Sequence, residues 1–240
     1  MLVKNNLLNY KDKIIYQNND WFMFSIDSVL LANFVTINLS DKVIMDLATG
    51  NAPIAMLLTY KTKAKIYGVE LQKEVYNLAV KSVKENNFDE QIELLNMDVK
   101  DIVNIFESDS IDVITCNPPF FKTISDKHLN DCDIKAIARH EIHLNLDSLF
   151  SVVRKILKNK GTFAMVHRPD RFVEIIDKMR EYGLEPKRIQ FVYPKEQKES
   201  NILLIEGVKN GKPGIKILPP LIVHNEDNSY TDIVKKMFGE

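Results

Sequence analysis

Residues 117–120 read Asn-Pro-Pro-Phe and follow directly on Ile-Asp-Val-Ile-Thr-Cys, an apolar, β-branched run with one acid. Two prolines donate no backbone hydrogen, so a strand must end there. What they stiffen is a pair of acceptors, the Asn117 side-chain oxygen and the Pro118 carbonyl. Such a pair suits a planar, conjugated amine. Gripping both of its N–H bonds favours a more tetrahedral nitrogen whose lone pair is available for attack. Phe120 offers a face on which a base can stack when it is held away from its neighbours. Asn117, Pro118, Pro119 and Phe120 are therefore candidate catalytic residues. Taken alone, Asn-Pro-Pro is more often a plain turn, and the residues upstream decide between the two readings.

Three junctions upstream carry acids. Residues 46–53 read DLATGNAP, with a single glycine among Ala48, Thr49, Gly50 and Ala52. These small residues let a ligand approach the backbone closely, and the helix start beyond them offers unpaired N–H groups. Glu70 closes the next strand, where a carboxylate accepts hydrogen bonds from both hydroxyls of a ribose. Asp98 follows the third strand, placed to accept from an adenine amine, with Met97 and Val99 on either side of the ring. A lone acid at a strand end is usually a helix cap or a solvated charge. Three in order, at βαβ spacing, point to a nucleoside-containing ligand bound beyond the carboxyl ends of the strands.

Positioning these residues requires an alternation of strands and helices. Short apolar runs at 42–47, 65–71, 92–98, 111–116 and 162–168 read as strands. Helical periodicity covers 53–61, 73–87, 146–161 and 169–183. That alternation implies βαβ units and a parallel sheet. Residues 187–194 and 201–209 read as a closing antiparallel pair, and the tail as a short helix. Asp147 is the expected N-cap of the 146–161 helix, with Gly161 ending it. Asp27 is placed to cap a helix over 28–35. The polar stretch 123–139 is long for a connection in a compact domain. Residues 1–40 are expected to lid one edge of a main domain over 41–240.

The bulk figures bound the rest. A chain of 240 residues with 45% hydrophobic and 27% charged residues is ordinary for a globular protein. No run reaches the length of a membrane span, and the first residues lack an apolar signal core. Two cysteines, Cys116 and Cys132, give neither a metal-ligand spacing nor a disulfide framework. A reduced, cytoplasmic protein without a metal is the expectation. Net charge is −1, yet residues 151–200 hold 12 Lys or Arg against 7 Asp or Glu. That excess is either a basic face or solvated helix surface.

The series DLATGNAP, GVEL, NMD and NPPF resembles the Rossmann-like, class I S-adenosylmethionine-dependent methyltransferases, within them the amino-methylating group with an (N/D)PP(Y/F) loop. The stretches FMFSIDSVLLANF, ARHEIHLNLDSLF, GTFAMVHRPDR and LPPLIVHNEDNSYTDIVKKMF resemble the bacterial family that methylates N6 of adenine 37 in valine tRNA. The resemblance implies a mostly parallel, seven-stranded α/β sheet with helices on both faces and an antiparallel closing hairpin. It also implies S-adenosylmethionine as cofactor and the anticodon loop of a tRNA as partner. By matching position, Asp46, Ala48, Thr49, Gly50 and Asn51 would hold the methionine part of the donor. Glu70 and Leu71 would meet its ribose, Asp98 and Val99 its adenine, and Asn117 would contact the donor at the site of transfer. Lys122, Arg139, His140 and Arg168 are the candidate RNA contacts. Related loops usually carry glycine where this chain has Ala48 and Ala52. The same loop also serves a ribosomal guanine amine, a DNA adenine or a protein glutamine amide. A non-catalytic nucleotide- or RNA-binding protein would have no need of it.

Overall fold

In the computed structural model, residues 2–7, 13–18, 25–118 and 144–239 are described. Pro119, Phe120, Lys122, Arg139 and His140 lie outside the described residues, as does the polar stretch 123–139.

Period-two alternation builds two cores from each central strand. In β3 (Val43–Leu47) Ile44 faces one core and Met45 the other. Val113 and Ile114 divide likewise in β6 (Ile111–Cys116), as do Ala164 and Phe163 in β7 (Leu157–His167). The first core is covered by α1 (Ile26–Phe34), α2 (Pro53–Leu58), α3 (Lys73–Glu85) and α6 (Asp232–Met237). The second is covered by α4 (Leu146–Ile156), α5 (Phe172–Glu181) and a 3-10 turn, Val99–Asn104. Helices thus pack on both faces.

The other strands are β4 (Lys65–Glu70), β5 (Ile92–Asn96), β8 (Leu184–Tyr193), β9 (Ile202–Lys209), β10 (Lys216–Ile217) and β11 (Leu221–Ile222). The sheet order is β10-β8-β9-β7-β6-β3-β4-β5, with β11 also on β8. The seven strands expected from sequence are all present, and the two-residue β10 and β11 bring the sheet to nine. The β8–β9 and β7–β9 pairs are antiparallel, and the other pairs in this sheet run parallel. From β3 the chain steps outward to β4 and β5, then returns to lay β6 on the opposite side of β3. A ligand crevice belongs at that switch, between the carboxyl ends of β3 and β6.

Several boundaries differ from expectation. Asn145, not Asp147, caps α4, its side chain accepting from the Ser148 N–H at 2.8 Å. Asp147 lies in the first turn and pairs with Lys178. The helix stops at Ile156, and Gly161 sits inside β7. A Cβ there would come within 2.9 Å of the Asp112 carbonyl oxygen, so close strand packing explains the glycine. Helix α1 starts at Ile26 with Ser25 as N-cap, which places Asp27 in the first turn. The N-terminal segment also contains a hairpin of β1 (Leu2–Asn6) and β2 (Ile14–Asn18). Its second strand is tied to α3, where Ser82 Oγ accepts from Tyr16 N and the Asn86 amide brackets Ile14. Among the described residues, no helix is long and apolar enough to cross a membrane.

Candidate functional site

The register across the sheet places the candidate residues side by side. Leu47 pairs with Cys116 and with Val69, while Glu70 pairs with Asn96. One step further on, Asn117, Ala48 and Glu70 leave neighbouring strands at the same level. At about 4.8 Å per strand, Asn117 and Glu70 are about 10 Å apart across the sheet.

Asp46 supports this edge from below. It is fully buried, and both oxygens are occupied: Oδ2 accepts from Thr49 Oγ1 at 2.5 Å and Oδ1 from Thr115 Oγ1 at 2.7 Å. One carboxylate thereby clamps the loop after β3 to strand β6 at the switch point. Burial pushes its carboxyl up to about 7, with the nearby Glu70 charge adding to the rise and the two hydroxyls opposing it.

The loop Ala48 to Ala52 is turned tightly over β4. Thr49 N–H donates to the Val69 carbonyl at 2.9 Å. Gly68 permits this, because a Cβ there would meet Leu94 at 2.6 Å and Thr49 at 3.1 Å. Three residues of the loop are left-handed: Ala48 at φ 54, Gly50 at φ 59 and Ala52 at φ 64. Glycine adopts that conformation freely, whereas each alanine costs about 1–2 kcal/mol. The glycines expected by resemblance at 48 and 52 are replaced by alanines that take left-handed backbone, at the expense of strain. A Cβ on Gly50 would meet nothing within 4 Å, so the loop opens to free space there. Thr49 and Asn51 are buried beneath it.

Glu70 holds the loop from the next strand. Oε2 accepts from Gly50 N at 3.0 Å and Oε1 from Gln72 N at 2.8 Å. Burial raises its carboxyl pKa, and the backbone donors at Gln72, Gly50 and Leu71 partly offset the rise. The Asn96 amide donates to the Glu70 and Leu71 carbonyls and so fixes the turn. Leu71 is exposed at the rim, and Val99 is buried. Asp98 caps the Val99–Asn104 turn through the Lys100 N–H at 2.9 Å and pairs with the Lys100 ammonium at 3.3 Å. The cap that a lone acid commonly makes is present there, and each oxygen retains lone pairs for a further donor.

Asn117 is oriented by α1. Its Nδ2 donates to Ser28 Oγ at 3.1 Å, which points the amide nitrogen toward the helix and leaves Oδ1 as the acceptor on the other side. Pro118, the next residue, is buried. Helix α1 is anchored at its far end, where the Lys61 ammonium donates to the Ala32, Asn33 and Val35 carbonyls. Glu206 also accepts from Thr36 N there at 2.7 Å. At the near end, Asp27 faces the Arg168 charge. Burial raises the Asp27 carboxyl pKa, and Ser25 and Arg168 oppose that rise. His167, one strand from Asn117, is buried, and burial holds its pKa near 4, so the ring is neutral; Nδ1 accepts from Arg168 N at 2.8 Å.

The structure therefore gathers Asp46, Ala48, Thr49, Gly50, Asn51, Glu70, Leu71, Asp98, Val99 and Asn117 at one edge of the sheet, with Arg168 beside it. Ser28, Thr115, Gly68 and Asn96 were missed from sequence. A polar Thr115 within an apolar strand was a readable signal. Nothing in the sequence links Ser28 to a residue 89 positions away.

Two buried carboxylates with raised pKa values, Asp46 and Glu70, make the crevice favourable to a cation. A positive ligand offsets the cost of ionising them. The loop supplies open space at Gly50, and the row supplies hydrogen-bond acceptors.

A family model described as "Methyltransferase domain" matches residues 38–207. Curated relatives include the tRNA1(Val) (adenine(37)-N6)-methyltransferase of Cytophaga hutchinsonii, 28% identical over 196 residues, covering 82% of this chain and 81% of that protein. A protein of the same name from Photobacterium profundum is 26% identical over 185 residues, covering 76% and 75%. Among solved structures, a predicted O-methyltransferase from Agrobacterium tumefaciens superposes with a TM-score of 0.70 at 19% identity, covering 89% of this chain and 95% of the other. The geranyl diphosphate C-methyltransferase of Streptomyces coelicolor, solved with S-adenosyl-L-homocysteine, gives 0.55 at 12% identity, covering 76% and 79%.

Proposed function

The chain belongs to the methyltransferase-domain family, and from that premise we propose that it methylates the N6 amine of adenine 37 in tRNA1(Val), using S-adenosylmethionine. The curated relatives carry that name across about four-fifths of the chain. The observation that carries the chemistry is the Asn117 amide, whose nitrogen is held by Ser28 and whose oxygen is left as an acceptor beside the Gly50 loop.

S-adenosylmethionine, when bound, supplies the electrophilic methyl on a sulfonium. The residues present fit it: the acid pair favours its positive charge, Glu70 retains acceptor capacity for ribose hydroxyls and Asp98 for an adenine amine. Ala48, Thr49, Gly50 and Asn51 would line the methionine end, with Asp46 holding that loop in place from beneath. Asn117 Oδ1 and the Pro118 carbonyl accept from the two N–H bonds of the target amine and localise its lone pair. Because the Asn117 oxygen is oriented before the substrate arrives, little reorganisation remains at the moment of reaction. Phe120 provides the stacking face for a base drawn out of the anticodon loop. No side chain has to take the proton, since the methylated amine is acidic enough to lose it to water.

The test is to incubate the protein with labelled donor and total RNA from a strain lacking the gene, then locate the label by mass spectrometry. Label in N6-methyladenosine at position 37 of tRNA1(Val) is expected. Label in guanine N2, in another RNA, or nowhere would overturn the assignment.

A further inference from the structure

A hollow of about 600 Å³ lies away from the donor crevice, lined by Pro194, Lys195, Lys198, Glu199, His224 and Asn228. Its place in the sheet relates it to the site. β8 runs antiparallel to β9, and β9 antiparallel to β7, so β8 ends at the same edge as β6. The turn after β8, which carries Lys195 and Lys198, therefore stands on the edge where Asn117 leaves β6. The sideways separation is three strand spacings, about 14 Å. A single strand with its bases stacked at about 3.4 Å covers that span in about four nucleotides.

The hollow is built before any ligand arrives. Its two walls are joined by backbone bonds from Val223 N to the Tyr193 carbonyl and from His224 N to the Pro194 carbonyl. The Lys195 ammonium donates to the Glu226 carbonyl at 2.8 Å, a neutral partner. His224 is fixed by Nδ1 against the Pro194 carbonyl at 3.2 Å and by stacking on the Tyr230 ring at 4.8 Å. Among the described residues, neither Lys195 nor Lys198 has a carboxylate partner. Two lysines and one carboxylate, Glu199, line this concave surface, which is open to solvent, with Glu196, Glu226 and Asp227 on the same two segments.

We propose that this hollow holds backbone phosphates of the RNA substrate, a few nucleotides from the adenine held at Asn117. The proposal rests on the tRNA reading above and adds to it a second, purely electrostatic anchor that sets register without reading sequence. The segment that carries His224 and Asn228, which forms one wall of the hollow, thereby gains a role in substrate binding.

The test uses the full chain and an unmodified tRNA1(Val) transcript. Lys198→Ala is measured first, because the bond from Lys198 to the Lys195 carbonyl is made by the backbone N–H, which alanine keeps, followed by the Lys195→Ala/Lys198→Ala pair. The slope of log affinity against log salt should fall by about one in the single variant and about two in the pair. KM for the transcript should rise about tenfold in the pair, with donor affinity unchanged, and Lys195→Arg/Lys198→Arg should restore both. An unchanged slope and KM in variants of an enzyme that methylates the transcript would overturn this site and leave the tRNA reading standing. A wild-type protein that neither binds nor methylates the transcript would overturn that reading, and this site with it.

Discussion

Replacing Ser28 with alanine should slow methyl transfer while leaving donor binding intact. The Ser28 hydroxyl accepts from Asn117 Nδ2 at 3.1 Å and so sets which way the amide is turned. A neutral hydrogen bond of this kind contributes about 0.5–1.5 kcal/mol. Without it, the amide can rotate by half a turn and present its NH2 group, which repels the amine it should grip. Equal occupancy of the two orientations sets a floor of about twofold on the loss. If the whole bond serves to preorganise the acceptor, 1.5 kcal/mol corresponds to about tenfold at 1.36 kcal/mol per decade. Ser28 lies inside α1, where alanine is the better helix former, so folding should survive. The assay is single-turnover transfer from labelled donor to a tRNA1(Val) transcript, with donor affinity measured by calorimetry. A rate between one-half and one-tenth of wild type at unchanged donor affinity is expected. A wild-type rate, or a loss of donor affinity that accounts for the slower rate, would refute the orienting role.

Three further outcomes follow from the same geometry. Asp46 keeps its proton to about pH 7 in the fold, against 3.8 ordinarily, so its contribution to stability is present in acid and is lost as pH rises through that window. Between pH 5 and pH 8, urea titrations should show about 2–3 kcal/mol less of this loss in Asp46→Asn than in wild type; equal losses would rule out Asp46 as the titrating group. Glu70→Ala should weaken donor binding by at least about tenfold, since hydrogen bonds to a charged group are worth about 1.5–3 kcal/mol, and unchanged calorimetric affinity would remove Glu70 from the site. Ala52→Gly relieves a left-handed alanine at φ 64 and should stabilise the protein by about 1 kcal/mol, raising Tm by about 2–4 °C; a lower Tm would show that the loop is not strained there.

The parts of this fold that were legible are those in which local pattern and tertiary role agree. β6 was readable to the residue, because apolar alternation runs straight into two prolines. The acids at 70 and 98 were legible as strand-end groups, because βαβ units space them regularly. Legibility failed where a distant contact overrides the local pattern. The run Leu-Lys-Asn-Lys-Gly continues a helical charge pattern, yet Leu157 begins a strand because its backbone pairs with Ile111 of β6, the pairing resuming at Thr162 after a register shift. The cap fell on Asn145 and not Asp147, two residues with similar capping strength, and Lys178 draws the latter outward. Asp98 was expected to face a ligand, and the structure shows it capping the next turn. The β1–β2 hairpin, whose strands are short and half polar, carries no strong period and is fixed by Ser82 of α3 and Asn86 at its C-cap. At the site, the bond between Asn117 and Ser28 and the clamp from Asp46 to Thr115 join elements far apart in the chain, which no spacing rule reaches.

A fixed acceptor pair at the tip of β6 activates the amine and contributes little to donor affinity. Asn117→Ala separates these two roles in one comparison, with donor affinity read by calorimetry and transfer to the transcript in a single turnover. Removing one preorganised polar group of this kind costs on the order of 10²–10³ in rate. Donor affinity within about twofold of wild type, with transfer reduced by that factor, is the expected result; transfer at the wild-type rate would contradict it.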